Sequence, residues 1–332
     1  MALHVGPRDL EQLFGEGHVT PADCVAAVEA SFREHGEGAA GIVPRHILTA
    51  DGGPPAPRSR ALKLSASYLR TSRLMGASIY STHFRPGDVD MWITLFSGET
   101  GRMLGVLNGK ALSLWKTGAT AAVAARHLAR LDARRAALIG TGHYARTQLQ
   151  CLATVRDLAH VACYSRDRAR LQAFVAWAAA ELPGTSVIAA DSAHAAVRDA
   201  DIVVTITTSR TPVVEGAWLA PGTHCNAMGQ HAPETRELDG AAIARARVIV
   251  DAREQAFAEK GELLIPLAAG EIDAAHVAGE LGEVVAGRVA GRRSEEEITV
   301  FCSGGTALEY VGLCALFVER AQAVGLGQML DD

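Results

Sequence analysis

One run, Ala136-Ala137-Leu138-Ile139-Gly140-Thr141-Gly142-His143-Tyr144-Ala145 and the helical stretch after it, constrains the fold more than any other part of this chain. Ala136 to Ile139 is unbroken and apolar, as a parallel strand covered on both faces requires. The G-x-G-x-x-A turn follows at once. In such a turn Gly140 permits the tight bend, Gly142 lets a pyrophosphate approach the backbone, and Ala145 lets the helix pack closely on the strand. A helix from about Tyr144 directs its free N–H groups and the positive end of its dipole at the phosphates. The run therefore predicts a bound dinucleotide, with Gly140, Thr141, Gly142, His143, Tyr144 and Ala145 as contacts.

The length of 332 residues accommodates two domains, each with its own core. A formal net charge of −5 gives no basis for a nucleic-acid or anionic-membrane partner. The N-terminal stretch lacks the cationic and apolar regions of a secretory signal. No apolar run reaches the roughly 18 residues that a membrane helix needs. Cys24, Cys151, Cys163, Cys225, Cys302 and Cys314 are scattered without C-x-x-C spacing and read as buried free thiols, which suits a cytoplasmic protein. The 12 histidines show no ligand spacing, so no metal is expected.

Pro21 to Arg33 is amphipathic, with Thr20 as N-cap. Asp51 to Pro57 reads as a loop, and Ala77–Tyr80 and Met91–Phe96 as short strands in an α+β segment. Thr117 to Leu131 is alanine-rich and helical. Beyond it apolar strands recur at Val161–Tyr164, Val187–Ala190, Ile202–Ile206, Cys225–Met228, Val248–Asp251 and Ile298–Phe301. Helices at Asp167–Leu182 and Ala193–Ala200 separate the earlier ones. This alternation predicts an α/β fold with a doubly wound parallel sheet. Ala307 to Val324 is a final apolar helix that could return to the N-terminal part.

The strand after the glycine turn ends Cys163-Tyr164-Ser165-Arg166-Asp167. NAD sites place an acid at that corner to bond the ribose hydroxyls, whereas Ser165 and Arg166 suit a 2′-phosphate. Asp167 reads as the cap of the following helix. The expected cofactor is NADP, with NAD possible.

Leu112-x-x-Trp115-Lys116-Thr117-Gly118-Ala119, the glycine turn, Asn226-Ala227-Met228-Gly229 with Arg236-Glu237-Leu238, Val250-Asp251-Ala252-Arg253 and Thr299-Val300-Phe301-Cys302-Ser303-Gly304-Gly305 stand in order along the chain. Together they resemble the ornithine cyclodeaminase/mu-crystallin family. The resemblance implies a homodimer. It also implies a substrate-binding and dimerisation domain from residues 1–116 and 306–332, and a Rossmann domain over 117–305. Arg45 matches a family arginine that binds the substrate carboxylate. Lys116 stands where the family has a second arginine, keeping the charge but losing the bidentate fork. A family lysine is absent from Leu74–Ile79, and Lys63 and His83 are reserve candidates. His231 replaces an aspartate that works as acid and base in the cyclodeaminases. The family also places the nicotinamide near Thr207, Thr208, Met228, Gly229, Ser303 and Gly304.

A small anionic substrate needs cations, and hydride transfer needs a proton relay. Arg45 and Lys116 are the candidate cations. Lys116 gains support because it starts a helix, where a cation is unfavourable unless an anion is bound nearby. His231 titrates in the range that suits a shuttle at neutral pH. Each also has a bland reading, as surface charges and a structural histidine. Cys302 lacks an activating partner and reads as buried. The leading expectation is an NAD(P)H-dependent reductase of a small imino acid, or an amino-acid dehydrogenase. The alternatives are an ornithine- or lysine-type cyclodeaminase with bound NAD, and a non-catalytic NADPH-binding protein like the crystallin members.

Overall fold

The computed structural model describes residues 2–53, 59–82 and 89–330. Most of the Asp51–Pro57 loop, and His83, lie outside the described residues. The chain forms two compact units, one of Met1–Lys116 with Gly305–Asp332 and the other of Thr117–Gly304. Elements are numbered in chain order.

The first unit contains β1 (Ala2–Val5), α1 (Pro7–Gly15), α2 (Pro21–Gly36), β2 (Ala40–Thr49), β3 (Ala61–Leu69), β4 (Leu74–Thr82), β5 (Val89–Ser97) and β6 (Met103–Asn108). It also takes the first residues of α3 (Gly109–Leu128), and near the C-terminus α11 (Ala307–Val324) and β15 (Gln328–Leu330). Thr20 caps α2 and exchanges hydrogen bonds with Asp23, with Pro21 at the first helical position. The seven strands form one sheet in the order β15-β1-β6-β5-β4-β3-β2, antiparallel except for the β1–β6 pair. The Ala77–Tyr80 and Met91–Phe96 segments are the middles of β4 and β5. The other five strands were not expected, among them β1, which precedes the two N-terminal helices.

Helix α11 packs on one face of this sheet. A Cβ at Gly76 would meet Val311, and one at Gly105 would overlap Val318, so glycine at both positions lets helix and strands approach. The opposite face is open. Val43, Leu48, Leu62, Ile79 and Trp92 are all exposed there, with Leu48 at 58%.

The second unit is built on eight strands, all paired in parallel, in the order β13-β12-β14-β11-β10-β7-β8-β9. They are β7 (Arg135–Ile139), β8 (His160–Tyr164), β9 (Ser186–Ala189), β10 (Ile202–Thr205), β11 (His224–Ala227), β12 (Arg247–Val250), β13 (Val277–Glu280) and β14 (Thr299–Cys302). The helices are α4 (Ala145–Ala153), α5 (Arg168–Glu181), α6 (Ala193–Val197), α7 (Gly240–Ala244), α8 (Arg253–Glu259), α9 (Gly261–Ala268) and α10 (Leu281–Val285). The doubly wound sheet is as expected, with β13 as an additional edge strand. The order reverses at β7, whose neighbours are β8 and β10, and a dinucleotide binds outside the strand ends at such a switch point. All six cysteines are buried and unbridged.

Two expectations about α3 need correction. The helix begins at Gly109, not Thr117, so Lys116 lies in its third turn and not at its start. The dipole argument for an anion at Lys116 therefore falls away. No helix among the described residues is long and apolar enough to cross a membrane.

Candidate active site

The glycine turn leaves β7 with Gly140 at φ 106°, a conformation that glycine alone adopts without strain. A crevice of about 440 Å³ opens beside it. Its walls are the ends of β7 (Gly140, Thr141, Gly142), β8 (Tyr164, Ser165, Arg166) and β10 (Ile206, Thr207, Thr208, Ser209), with Asp167 and Arg170 at the start of α5.

Three features fit this crevice to a dinucleotide. A Cβ on Gly142 would meet nothing within 4 Å, so the backbone there is open to a ligand. The hydroxyl of Thr141 is buried without a hydrogen-bond partner. No side chain caps α4 at Tyr144, which leaves the N-terminal end of its dipole facing the turn. His143 is exposed and packs edge-on against the Tyr144 ring, while Ala145 is buried at the first helical position. At the far end Asp167 accepts from the Arg170 amide as the cap of α5, and its side chain lies 3.7 Å from the Arg170 guanidinium. Arg170 thus joins Ser165 and Arg166 in the crevice wall beyond β8, a cation that the sequence reading missed.

The remaining cofactor candidates lie at the neighbouring strand ends. Met228 and Gly229 follow β11, and a Cβ on Gly229 would stand 2.5 Å from the Thr207 carbonyl oxygen, so the loops after β10 and β11 touch backbone to backbone. Glu237, wholly buried, accepts from the Thr205 hydroxyl at 2.9 Å, the Thr207 amide at 2.6 Å and the Gly229 amide at 2.7 Å. Its own amide donates to Glu262 at 2.9 Å. Lys260, also wholly buried, pairs with Glu262 at 3.2 Å and donates to the carbonyl of Gln230, the residue before His231. Burial pushes the Glu237 carboxyl above the usual range, and Glu262 adds to this against the hydrogen bonds from Thr207 and Gly229. For Lys260 burial acts downward, but the carboxylates around it prevail and hold the ammonium above its ordinary value. His231 itself is exposed. After β14 the Ser303 hydroxyl donates to Asp251 at 3.2 Å, and Gly304 faces Glu259 and Gln255. Cys302 is buried, and burial pushes its thiol up, so it is no nucleophile.

In the first unit the candidate cations gather at the start of α11. The Arg45 guanidinium donates to the Gly305 carbonyl at 2.8 Å. Lys116 is buried and pairs at 3.0 Å with Glu309, a wholly buried carboxylate that also accepts from the amide and hydroxyl of Thr306 at the cap of α11. Its ammonium stands 5.3 Å from the Tyr310 ring centre. Lys116 is thus a core ion pair, not a surface charge. Lys63 lies on β3 opposite Tyr80 on β4, 5.9 Å above that ring. Tyr80 shares its sheet face with Gly76, the face that α11 covers. Lys63 therefore points to the same side as the start of the helix that Arg45 touches. Among the described residues no group of three histidine, cysteine, aspartate or glutamate side chains is placed to hold a metal ion.

The model of the ornithine cyclodeaminase/mu-crystallin family matches residues 12–325. The chain belongs to this family. It is 36% identical over 240 residues to a delta(1)-pyrroline-2-carboxylate reductase of Bacillus cereus, covering 72% of this chain and 73% of that one. Its fold is similar to that of the Thermococcus litoralis delta(1)-pyrroline-2-carboxylate reductase in complex with NADH and L-proline, with a TM-score of 0.90, 31% identity and coverage of 99% and 100%. It also resembles an archaeal alanine dehydrogenase dimer with bound NAD, with a TM-score of 0.89, 30% identity and coverage of 99% of each chain.

Proposed function

We propose that this chain is an NAD(P)H-dependent oxidoreductase that reduces the carbon–nitrogen double bond of a small imino acid or interconverts that imine with its amino acid. The crevice at the sheet's switch point carries the reading, with the glycine turn and the uncapped helix beside it. Likeness to reductases and dehydrogenases along nearly the whole chain supports it. A reduced nicotinamide supplies a hydride when bound. Gly140, Thr141 and Gly142 hold the pyrophosphate, and Thr207 and Thr208 lie toward the nicotinamide side. Arg45 and Lys63 are the carboxylate-binding cations, and Lys116 fixes the first turn of α11 through Glu309. His231, at the exposed strand-end loop, moves the proton.

The test follows reduced nicotinamide absorbance with purified protein, NADPH or NADH, and a panel that includes pyrroline-2-carboxylate and pyruvate with ammonia. Steady consumption is expected. Ammonia release from ornithine or lysine without net cofactor turnover overturns the reading in favour of a cyclodeaminase. Tight NADPH binding with neither reaction leaves a binding protein.

Within this reading the cofactor is NADP(H). Ser165 and Arg166 occupy the ribose corner, Arg170 adds a second cation, and Asp167 is engaged as a helix cap. Arg166→Ala is expected to weaken NADPH binding on the order of tenfold and leave NADH within about twofold, in line with one charge-assisted contact to a phosphate. An equal change for both cofactors, read by fluorescence titration, overturns the preference.

The working form is a homodimer in which a second copy covers the open sheet face. Five exposed apolar side chains on that face form the kind of patch that a monomer rarely leaves to solvent. The combined substitution Ile79→Glu and Trp92→Glu is expected to lower the mass in light scattering from twice 34.9 kDa to 34.9 kDa. A parent protein already at the lower mass, or a variant still at the higher one, argues against this face. The buried free thiols suit a cytoplasmic setting.

A further inference from the structure

The two loops that flank the crevice on its β10 and β11 side extend the backbone ladder by one residue each, Ile206 to Ile139 and Met228 to Thr205, and beyond that something else must fix them. Glu237 does so from below. One carboxylate oxygen accepts from the Thr207 amide, and the other from the Gly229 amide and the Thr205 hydroxyl. Gly229 allows the two backbones to approach, since any side chain there would overlap Thr207. Glu237 is held in turn by the bond from its own amide to Glu262, which Lys260 pairs while bonding the Gln230 carbonyl. Each of the two backbone N–H groups depends on a carboxyl oxygen standing opposite it, since neither can be satisfied by another donor.

We propose that Glu237 is a positioning residue that locks the Thr207 and Gly229 loops in the register needed by the nicotinamide half of the cofactor, and that it is not needed for the adenosine half. This rests on the oxidoreductase reading. A dinucleotide spans the switch point, so with its adenosine end at Ser165 and Arg166 the other half extends toward the ends of β10 and β11. The glycine turn and the β8 corner make no bond to Glu237.

The isosteric variant Glu237→Gln isolates the acceptor. Its amide group must face either the Thr207 or the Gly229 N–H, donor against donor, so one clamp opens while volume is kept. Isothermal titration compares the dinucleotide that the parent protein binds more tightly, NADPH or NADH, with the matching fragment, 2′-phospho-ADP-ribose or ADP-ribose. We expect the dinucleotide Kd to rise about tenfold and the fragment Kd to stay within about twofold. Equal losses for both ligands show a merely structural role, and an unchanged dinucleotide Kd shows no role; either overturns the proposal. If Glu237→Gln does not fold, Thr205→Val removes one donor to the same carboxylate, with an expected rise of about threefold in the dinucleotide Kd alone. No change there also overturns it. A parent protein that binds neither dinucleotide overturns the oxidoreductase reading itself, which separates the two failures.

Discussion

Gly140→Ala is expected to destabilise the second unit by about 3 kcal/mol, whereas Gly142→Ala two residues away leaves the unliganded fold within about 0.5 kcal/mol. At Gly140 the backbone sits at φ 106°, and a Cβ would overlap the Ile206 carbonyl just past β10. The methyl group thus incurs both backbone strain and a collision with main chain, which cannot swing aside as a side chain could. At Gly142 the same methyl meets nothing within 4 Å. It instead fills space that a pyrophosphate needs, so dinucleotide affinity should fall on the order of a hundredfold. Thermal unfolding without ligand and titration with NADPH and NADH read the two effects apart. The midpoint should drop by roughly 5–10 °C for Gly140→Ala and stay put for Gly142→Ala. A Gly142→Ala protein that unfolds early, or binds cofactor as the parent does, would contradict the division of roles within the turn.

That division is legible in sequence because both glycines serve local geometry. Parallel strands buried on both faces are legible for a similar reason: Val161–Tyr164 or Ile202–Thr205 must be continuous apolar runs. The N-terminal sheet is harder. Under α11 its strands present Ser65, Ser67, Gly76 and Ser78, small residues that let the helix settle but erase the apolar alternation that marks a strand. On β3 and β4 the open face carries Leu62 and Ile79 instead, while β5 keeps Ile93 and Leu95 buried under the helix. Short β13, with the sequence Val-Ala-Gly-Glu, gives almost no signal.

The site residues divide along the same line. Ser165 and Arg166 follow a recognisable strand by one and two residues, so counting locates them in the crevice. Lys63 ranks only as a reserve candidate in the sequence because it precedes the stretch where the family has its lysine, and the pairing of β3 with β4 brings it opposite Tyr80. Lys116 looked like a free cation because its partner, Glu309, lies near the other end of the chain. Glu237, in an Arg-Glu-Leu context, has the composition of a surface loop. Its burial comes from the ends of β10 and β11, which no local pattern around Glu237 reports.

His224 is a structural histidine whose consequences reach the whole second unit. It is wholly buried on β11, with Nε2 donating to the Asn226 side-chain oxygen at 3.1 Å and Nδ1 3.0 Å from the Thr299 hydroxyl. Asn226 turns its amide nitrogen to the Ala121 carbonyl, which fixes the oxygen toward the histidine. Burial and the nearby Arg292 hold the imidazole pKa down to about 3, against an ordinary value of 6.5. The unfolded chain then takes up a proton below about pH 6.5 while the folded chain does not, so stability falls as pH drops from there toward 3. Above that window the contribution is fully present. The loss should approach the limit for one proton, on the order of 1 kcal/mol per pH unit. Urea unfolding at pH 7, 6, 5 and 4 measures it, with His224→Gln as the comparison. That variant should be less stable at pH 7 because it gives up well-formed buried bonds, but its acid limb should be shallower by about one proton. Parallel acid limbs in the two proteins would show that the proton enters elsewhere, and a steeper limb in the variant would reverse the sign of the argument.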